Sequence, residues 1–385
     1  MMIRKVLMIL VVISTAMMTS CIKDEPASNE CDIESAWVDD EFASHFIDVA
    51  DMRKESISST ETVITFTVRS LISLPQIPVK FTITPGATIE PASGTLLYFF
   101  EPVTYTVTSE DGEWQRKYIV EFKEPALPVF SLGFENVEVK DYYNDNTYHH
   151  FFEYDAGGMR REVWDSGNLG ALMLRKNAKP EDLPTYSTPD GRTGKALCLN
   201  TQSTGEIGIA IGKPIAAGNL FMGKFITENV LFNPLRSTQF GTVFDKEPVR
   251  VTGYYKYKPG PVFTNKDNKE VTDRTDEAGI YAVFYRNKDA EGNPYFLYGD
   301  DVETDEKLRA NPQVYKIARV ASLPPTDTWM PFEMFFEGKD ADDQLIIQQG
   351  FNLTLVFSSS KNGAQFEGAV GSTLYVDDVL ISCEK

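Results

Sequence analysis

The chain has 385 residues, 37 Lys and Arg against 56 Asp and Glu for a formal charge of −19, 42% hydrophobic and 12% aromatic residues, and 3 His. At about 100–200 residues per domain this length predicts two or three domains, and the hydrophobic share excludes disorder as the main state. The acidity leaves no basic face for nucleic acid or anionic lipid, so neutral ligands, sugars foremost, stay open; with only His45, His149 and His150 to draw on, catalysis would fall to carboxylates.

Residues 1–20 carry Arg4 and Lys5, an apolar run from Val6 to Ile13, then small and polar residues. The run is too short for a hydrocarbon core of about 30 Å and reads as a secretory leader. Its ending, Met18-Thr19-Ser20-Cys21, resembles a bacterial lipobox, which implies cleavage before Cys21 and an outer-membrane anchor through a lipid on that residue. The alternative is an ordinary leader with an unrelated cysteine. Loss of Arg4 and Lys5 with the leader takes the charge from −19 to −21. Ile22-Lys23-Asp24-Glu25 directly behind Cys21 resembles the Lys-acidic run of Bacteroidetes-type lipoproteins displayed on the cell surface; a plain solvated tether is the alternative. Cys31, Cys198 and Cys383 permit one disulfide at most, and their spacing points to no metal.

After a tether over residues 21–36, residues 37–124 predict a β-sandwich spacer. Period-two alternation marks strands over 62–68, 79–83, 104–107 and 117–122, and Pro85-Gly86, Ser93-Gly94 and Asp111-Gly112 mark turns. The stretch from Thr84 to Gly112 resembles immunoglobulin-like spacers of surface lipoproteins and holds no concentration of reactive residues. Residues 125–128, Pro-Ala-Leu-Pro, read as a linker.

Residues 129–385 predict strands over 196–199, 250–257, 280–285, 332–336, 352–357 and 374–380. Strands at this density without alternating helices argue for an all-β jelly-roll sandwich. Leu132-Gly133-Phe134-Glu135, Trp164-Asp165-Ser166-Gly167-Asn168, Gly194 to Thr201, Ala217-Gly218-Asn219, Tyr254 to Gly260, Ser358 to Gly363 and Gly371 to Val379 occur in one order. Together they resemble the putative carbohydrate metabolism domain of surface lipoproteins, which implies a jelly-roll related to carbohydrate-binding modules and some glycanases.

In a jelly-roll the first and last strands lie side by side, bringing Glu135 toward Asp377 and Asp378. Such oxygen ligands suit a structural Ca²⁺, as the resemblance to carbohydrate-binding modules also implies; capping of a strand end is the alternative. For sugar binding, Trp164 with Arg161, Asp165 and Asn168 nearby, and the alternating pair Tyr255 and Tyr257, are the candidate platforms; a core position is the competing reading for each. Trp329, in an apolar strand, reads as core. Hydrolysis would need two carboxylates about 5–5.5 Å or roughly 6.5–9.5 Å apart, and Glu333, Glu367 and Asp276 are the candidates. The expected function is glycan capture by a surface-anchored lipoprotein. The alternatives are glycoside hydrolysis on the same fold, or a structural and adhesive role.

Overall fold

The computed structural model describes residues 26–384 apart from 47–48, 69–70, 73, 125–128, 156, 174, 231 and 303. It is nearly all β, and the chain divides into two compact units, one up to residue 126 and one from residue 127. The leader, Cys21 and the 125–128 linker lie outside the described residues.

In the N-terminal unit, β2 (Val63–Thr67), β6 (Gln115–Lys123), β5 (Val103–Thr108) and β4 (Thr88–Glu90) form one sheet in that order. The facing sheet holds β1 (Ile33–Trp37) beside β3 (Lys80–Ile83). Alternate residues Ile64 and Phe66, Tyr105 and Val107, and Tyr118, Val120 and Phe122 point into one core. This is the period-two pattern expected of strands with one buried face. All of β1 but Trp37 falls within the stretch read as tether, and its Ile33 and Ala36 are buried. A register shift between Ile33 and Ser35 breaks the alternation there, which hid the strand from a period-two reading.

The C-terminal unit is a sandwich of two sheets. The first runs β8 (Thr185–Thr188), β9 (Ala196–Asn200), β16 (Thr373–Cys383), β11 (Pro248–Lys258) and β14 (Thr326–Phe335), with β7 (Val129–Leu132) also on β16. The second is built on β10 (Asn219–Phe225), β15 (Phe351–Ser358), β12 (Gly279–Arg286) and β13 (Val314–Arg319). Leu197, Leu199, Tyr255, Phe332, Leu374 and Val376 of the first sheet meet Ile280, Phe284, Leu353, Leu355 and Phe357 of the second in a shared core.

The second sheet is buried on its far side too. Phe221, Val283, Tyr285 and Val356 pack there under Leu297 and Leu308, so β12 and β15 read as nearly unbroken apolar runs. Three of the segments quoted for the family resemblance meet in a buried polar network around Asp276. Thr201 shares hydrogen bonds with the hydroxyls of Ser359 (2.8 Å) and Ser360 (2.6 Å), and Ser360 and Ser372 donate to Asp276 Oδ2 at 2.5 and 2.7 Å.

Candidate functional site

The outward face of the first sheet carries a row of side chains that crosses five of its six strands. Register places Tyr186 opposite Cys198, Cys198 opposite Tyr375, and Tyr375 opposite Lys256. On the far side the Lys256 ammonium lies 4.6 Å from the Trp329 ring centroid and 4.9 Å from that of Tyr375. Because side chains alternate across a sheet, the chain neighbours of this row, Leu197, Leu199, Leu374, Val376, Tyr255 and Tyr257, turn into the core. Tyr186, Tyr375, Lys256 and Trp329 are all partly exposed. Tyr254, two residues from Lys256 on the same face, carries the Arg192 guanidinium 3.8 Å over its ring.

Beside the row opens a cleft of about 410 Å³ lined by Asp190, Lys256, Lys258, Asp327, Thr373 and Tyr375, among others. Burial pushes the Tyr375 hydroxyl up to about 12, so it stays a proton donor throughout the physiological range. Cys198 is fully buried, and its thiol is pushed up to about 11, which leaves it unreactive.

The aromatic residues singled out from sequence lie elsewhere, and this corrects the expected platform. Trp164 is 2% exposed, with Tyr255 and Tyr257 at 5% and 2%. The Trp164 ring packs on Phe134 and Phe357, with centroids at 5.8 and 6.1 Å, and its Nε1 donates to Glu153 Oε1 at 2.9 Å. At 2% exposure the ring offers no open face on which a sugar could stack. Asp165 accepts the N–H groups of Ser166 and Phe225, each at 2.8 Å, and burial raises its carboxyl above the ordinary range. Asn168 clasps Thr185, donating to its carbonyl at 2.6 Å and accepting its N–H at 3.1 Å. Arg161 is exposed and lies 3.8 Å from Asp155. These polar residues hold an edge strand and its loop in place.

Tyr255 and Tyr257 do share a face, as alternation requires, but it is the inner one. The deciding signal was in the sequence: Lys256 and Lys258 occupy the other parity, and an ammonium is not buried without a partner. Trp329, read as core, instead faces outward over Lys256.

The N-terminal unit matches the family model described as "SGBP, N-terminal" over residues 44–121. Residues 133–382 match the model described as "Putative carbohydrate metabolism domain". The chain belongs to the putative carbohydrate metabolism domain family. A crystal structure titled a putative glycoside hydrolase from Bacteroides thetaiotaomicron is 34% identical, covers 94% of this chain and 99% of that one, and superposes with a TM-score of 0.58. A second of the same description, from Bacteroides vulgatus, is 37% identical over 66% of this chain and 98% of that one, with a TM-score of 0.60. Comparison with curated proteins gives no match.

In this family member the three candidate catalytic carboxylates lie in different surroundings. Asp276 is buried and committed: besides Ser360 and Ser372 it accepts the N–H of Ala369 at 2.8 Å and of Glu277 at 2.9 Å. Glu367 is 3.5 Å from Arg274 and accepts from Asn362 at 3.5 Å. Glu333 lies on β14 opposite Thr252, which is itself opposite Leu380, so its row across the sheet brings up no second carboxylate.

The carboxylates expected to hold calcium do converge, because β7 pairs with β16, but they converge on donors. Asp377 is buried and accepts the N–H groups of Arg192 (2.6 Å), Thr193 (3.1 Å) and Asp378 (2.7 Å). Asp378 pairs with the Arg192 guanidinium at 2.6 Å and accepts the Thr193 hydroxyl. Glu135 accepts the Lys195 N–H at 2.9 Å. Gly194, at φ +70°, is required between them because a Cβ there would collide with the Glu135 carboxylate. A site filled by N–H groups and a guanidinium does not fit Ca²⁺, which needs six to eight oxygens facing it. Among the described residues no group of three or more His, Cys, Asp or Glu is placed to hold a metal ion.

Proposed function

We propose that this protein captures glycan on the outward face of the first sheet of its C-terminal unit, over the row Tyr186, Tyr375, Lys256 and Trp329. The observation that carries the reading is the row itself: three partly exposed aromatic rings and a cation aligned across adjacent strands. Sugar rings present C–H faces that pack on aromatic faces and hydroxyl edges that seek charged and amide groups. Asp190 and Asp327 in the adjoining cleft supply acceptors for those hydroxyls. The N-terminal unit acts as a spacer, and a lipid on Cys21 holds the molecule at the outer membrane, facing outward.

Hydrolysis is the second reading, favoured by Glu333, whose Oε2 is buried with no hydrogen-bond partner. An oligosaccharide panel separates the two. Binding without release of reducing ends supports capture. Reducing-end release that is lost in Glu333→Gln establishes hydrolysis.

A further inference from the structure

We propose that the glycan recognised by this face is acidic, with the carboxylate of a uronic acid unit seated on Lys256. The inference rests on the glycan-capture reading and narrows it to a substrate class.

Lys256 is a partly shielded ammonium held between the Trp329 and Tyr375 rings. Among the described residues no carboxylate pairs with it, although the chain has 56 acidic residues. The contrast within the same unit is Lys316, which is buried and matched by both Glu247 and Asp340. Aromatic faces attract a cation without neutralising it, so the positive charge of Lys256 remains available to an incoming anion. Lys258 lies two residues along the same strand, faces the same way and lines the same cleft.

The rest of the cleft decides which anion. Asp190 and Asp327 also line it, and neither forms an ion pair with Lys256 or Lys258 among the described residues. They accept hydroxyls from a sugar and repel a second negative charge. The net charge of −19 adds to that repulsion close to the surface, within a Debye length of about 8 Å. A densely sulfated polymer is therefore disfavoured, and a hydroxyl-rich ring with one carboxylate fits. The cleft volume of about 410 Å³ lies within the usual range for small-ligand sites.

The test is calorimetric titration of the full-length protein with a panel of otherwise neutral oligosaccharides that carry a single galacturonate or glucuronate unit, each compared with the same oligosaccharide after carboxyl reduction to the neutral sugar. The acid form of at least one pair should bind about tenfold or more tightly than its reduced counterpart, with the preference shrinking as salt is raised. Lys256→Gln should bring the two forms within about threefold of each other and Lys256→Arg should keep the preference, while Trp329→Ala weakens both forms. Equal affinity for acid and reduced forms overturns the acidic assignment and leaves glycan capture standing. Binding of no acidic member overturns it as well, and binding untouched by Trp329→Ala removes the face assignment together with it. The wild-type comparison of acid with reduced sugar needs no variant, so the proposal stays open to refutation even if a substitution prevents folding.

Discussion

The two sheets of the C-terminal unit share one core but treat their far faces differently. On the larger sheet, Phe221, Val283, Tyr285 and Val356 lie beneath Leu297 and Leu308, and the Tyr285 hydroxyl donates to the Phe240 carbonyl at 2.5 Å. On the other sheet, Tyr186, Tyr375, Lys256 and Trp329 stay partly exposed. Both faces are rich in aromatic residues, so aromatic content does not separate a core from a binding surface. What separates them is whether a layer covers the rings and whether a charge is left among them without a partner.

The largest effect expected from breaking this contrast is at Trp164, which belongs to the covered interior. Trp164→Ala should cost about 3–5 kcal/mol and lower the melting temperature by about 10 °C. Calorimetry that finds under about 1 kcal/mol lost, together with lost glycan binding, would return the site to Trp164.

A smaller effect lies at the edge of the open sheet. His149 Nδ1 accepts the Ser187 N–H at 3.0 Å, and burial holds the imidazole below its ordinary value. The unfolded chain therefore takes the proton more readily. The stabilisation from neutral His149 is complete above about 6.5 and is lost as pH falls through the lower folded value. Asp165 and Glu153, with carboxyls raised by burial, work in the opposite sense, gaining stability as pH falls toward the ordinary carboxylate range. Comparing melting curves of wild type and His149→Asn from pH 7.5 to 5.5 isolates the histidine; the wild type should lose more over that interval.

The smallest effect is expected from chelation. Because Asp377 and Asp378 meet N–H donors and Arg192, EDTA should leave the melting temperature unchanged, and a rise of several degrees on adding Ca²⁺ would contradict the donor-filled geometry.

Much of the fold was legible because each strand carries its own local signature: alternation in β5 and β6, largely apolar runs in β12 and β15. β1 was missed because its bulge destroys that signature. The site was harder to read for a different reason. Its residues come one from each of five strands, at positions 186, 198, 375, 256 and 329, and only the register between strands aligns them. Trp164 attracted attention because polar residues surround it in sequence, yet Asp165 and Asn168 spend their hydrogen bonds on backbone. The convergence of the first and last strands was readable from topology, whereas the Arg192 turn that fills the space between them was not.

The most direct test of the central claim measures glycan affinity and thermal stability together in Trp329→Ala and Tyr375→Ala. If the outward face is the binding surface, affinity falls about tenfold or more in each variant while stability changes by less than about 1 kcal/mol. Unchanged affinity in both variants, with binding still present, would contradict it.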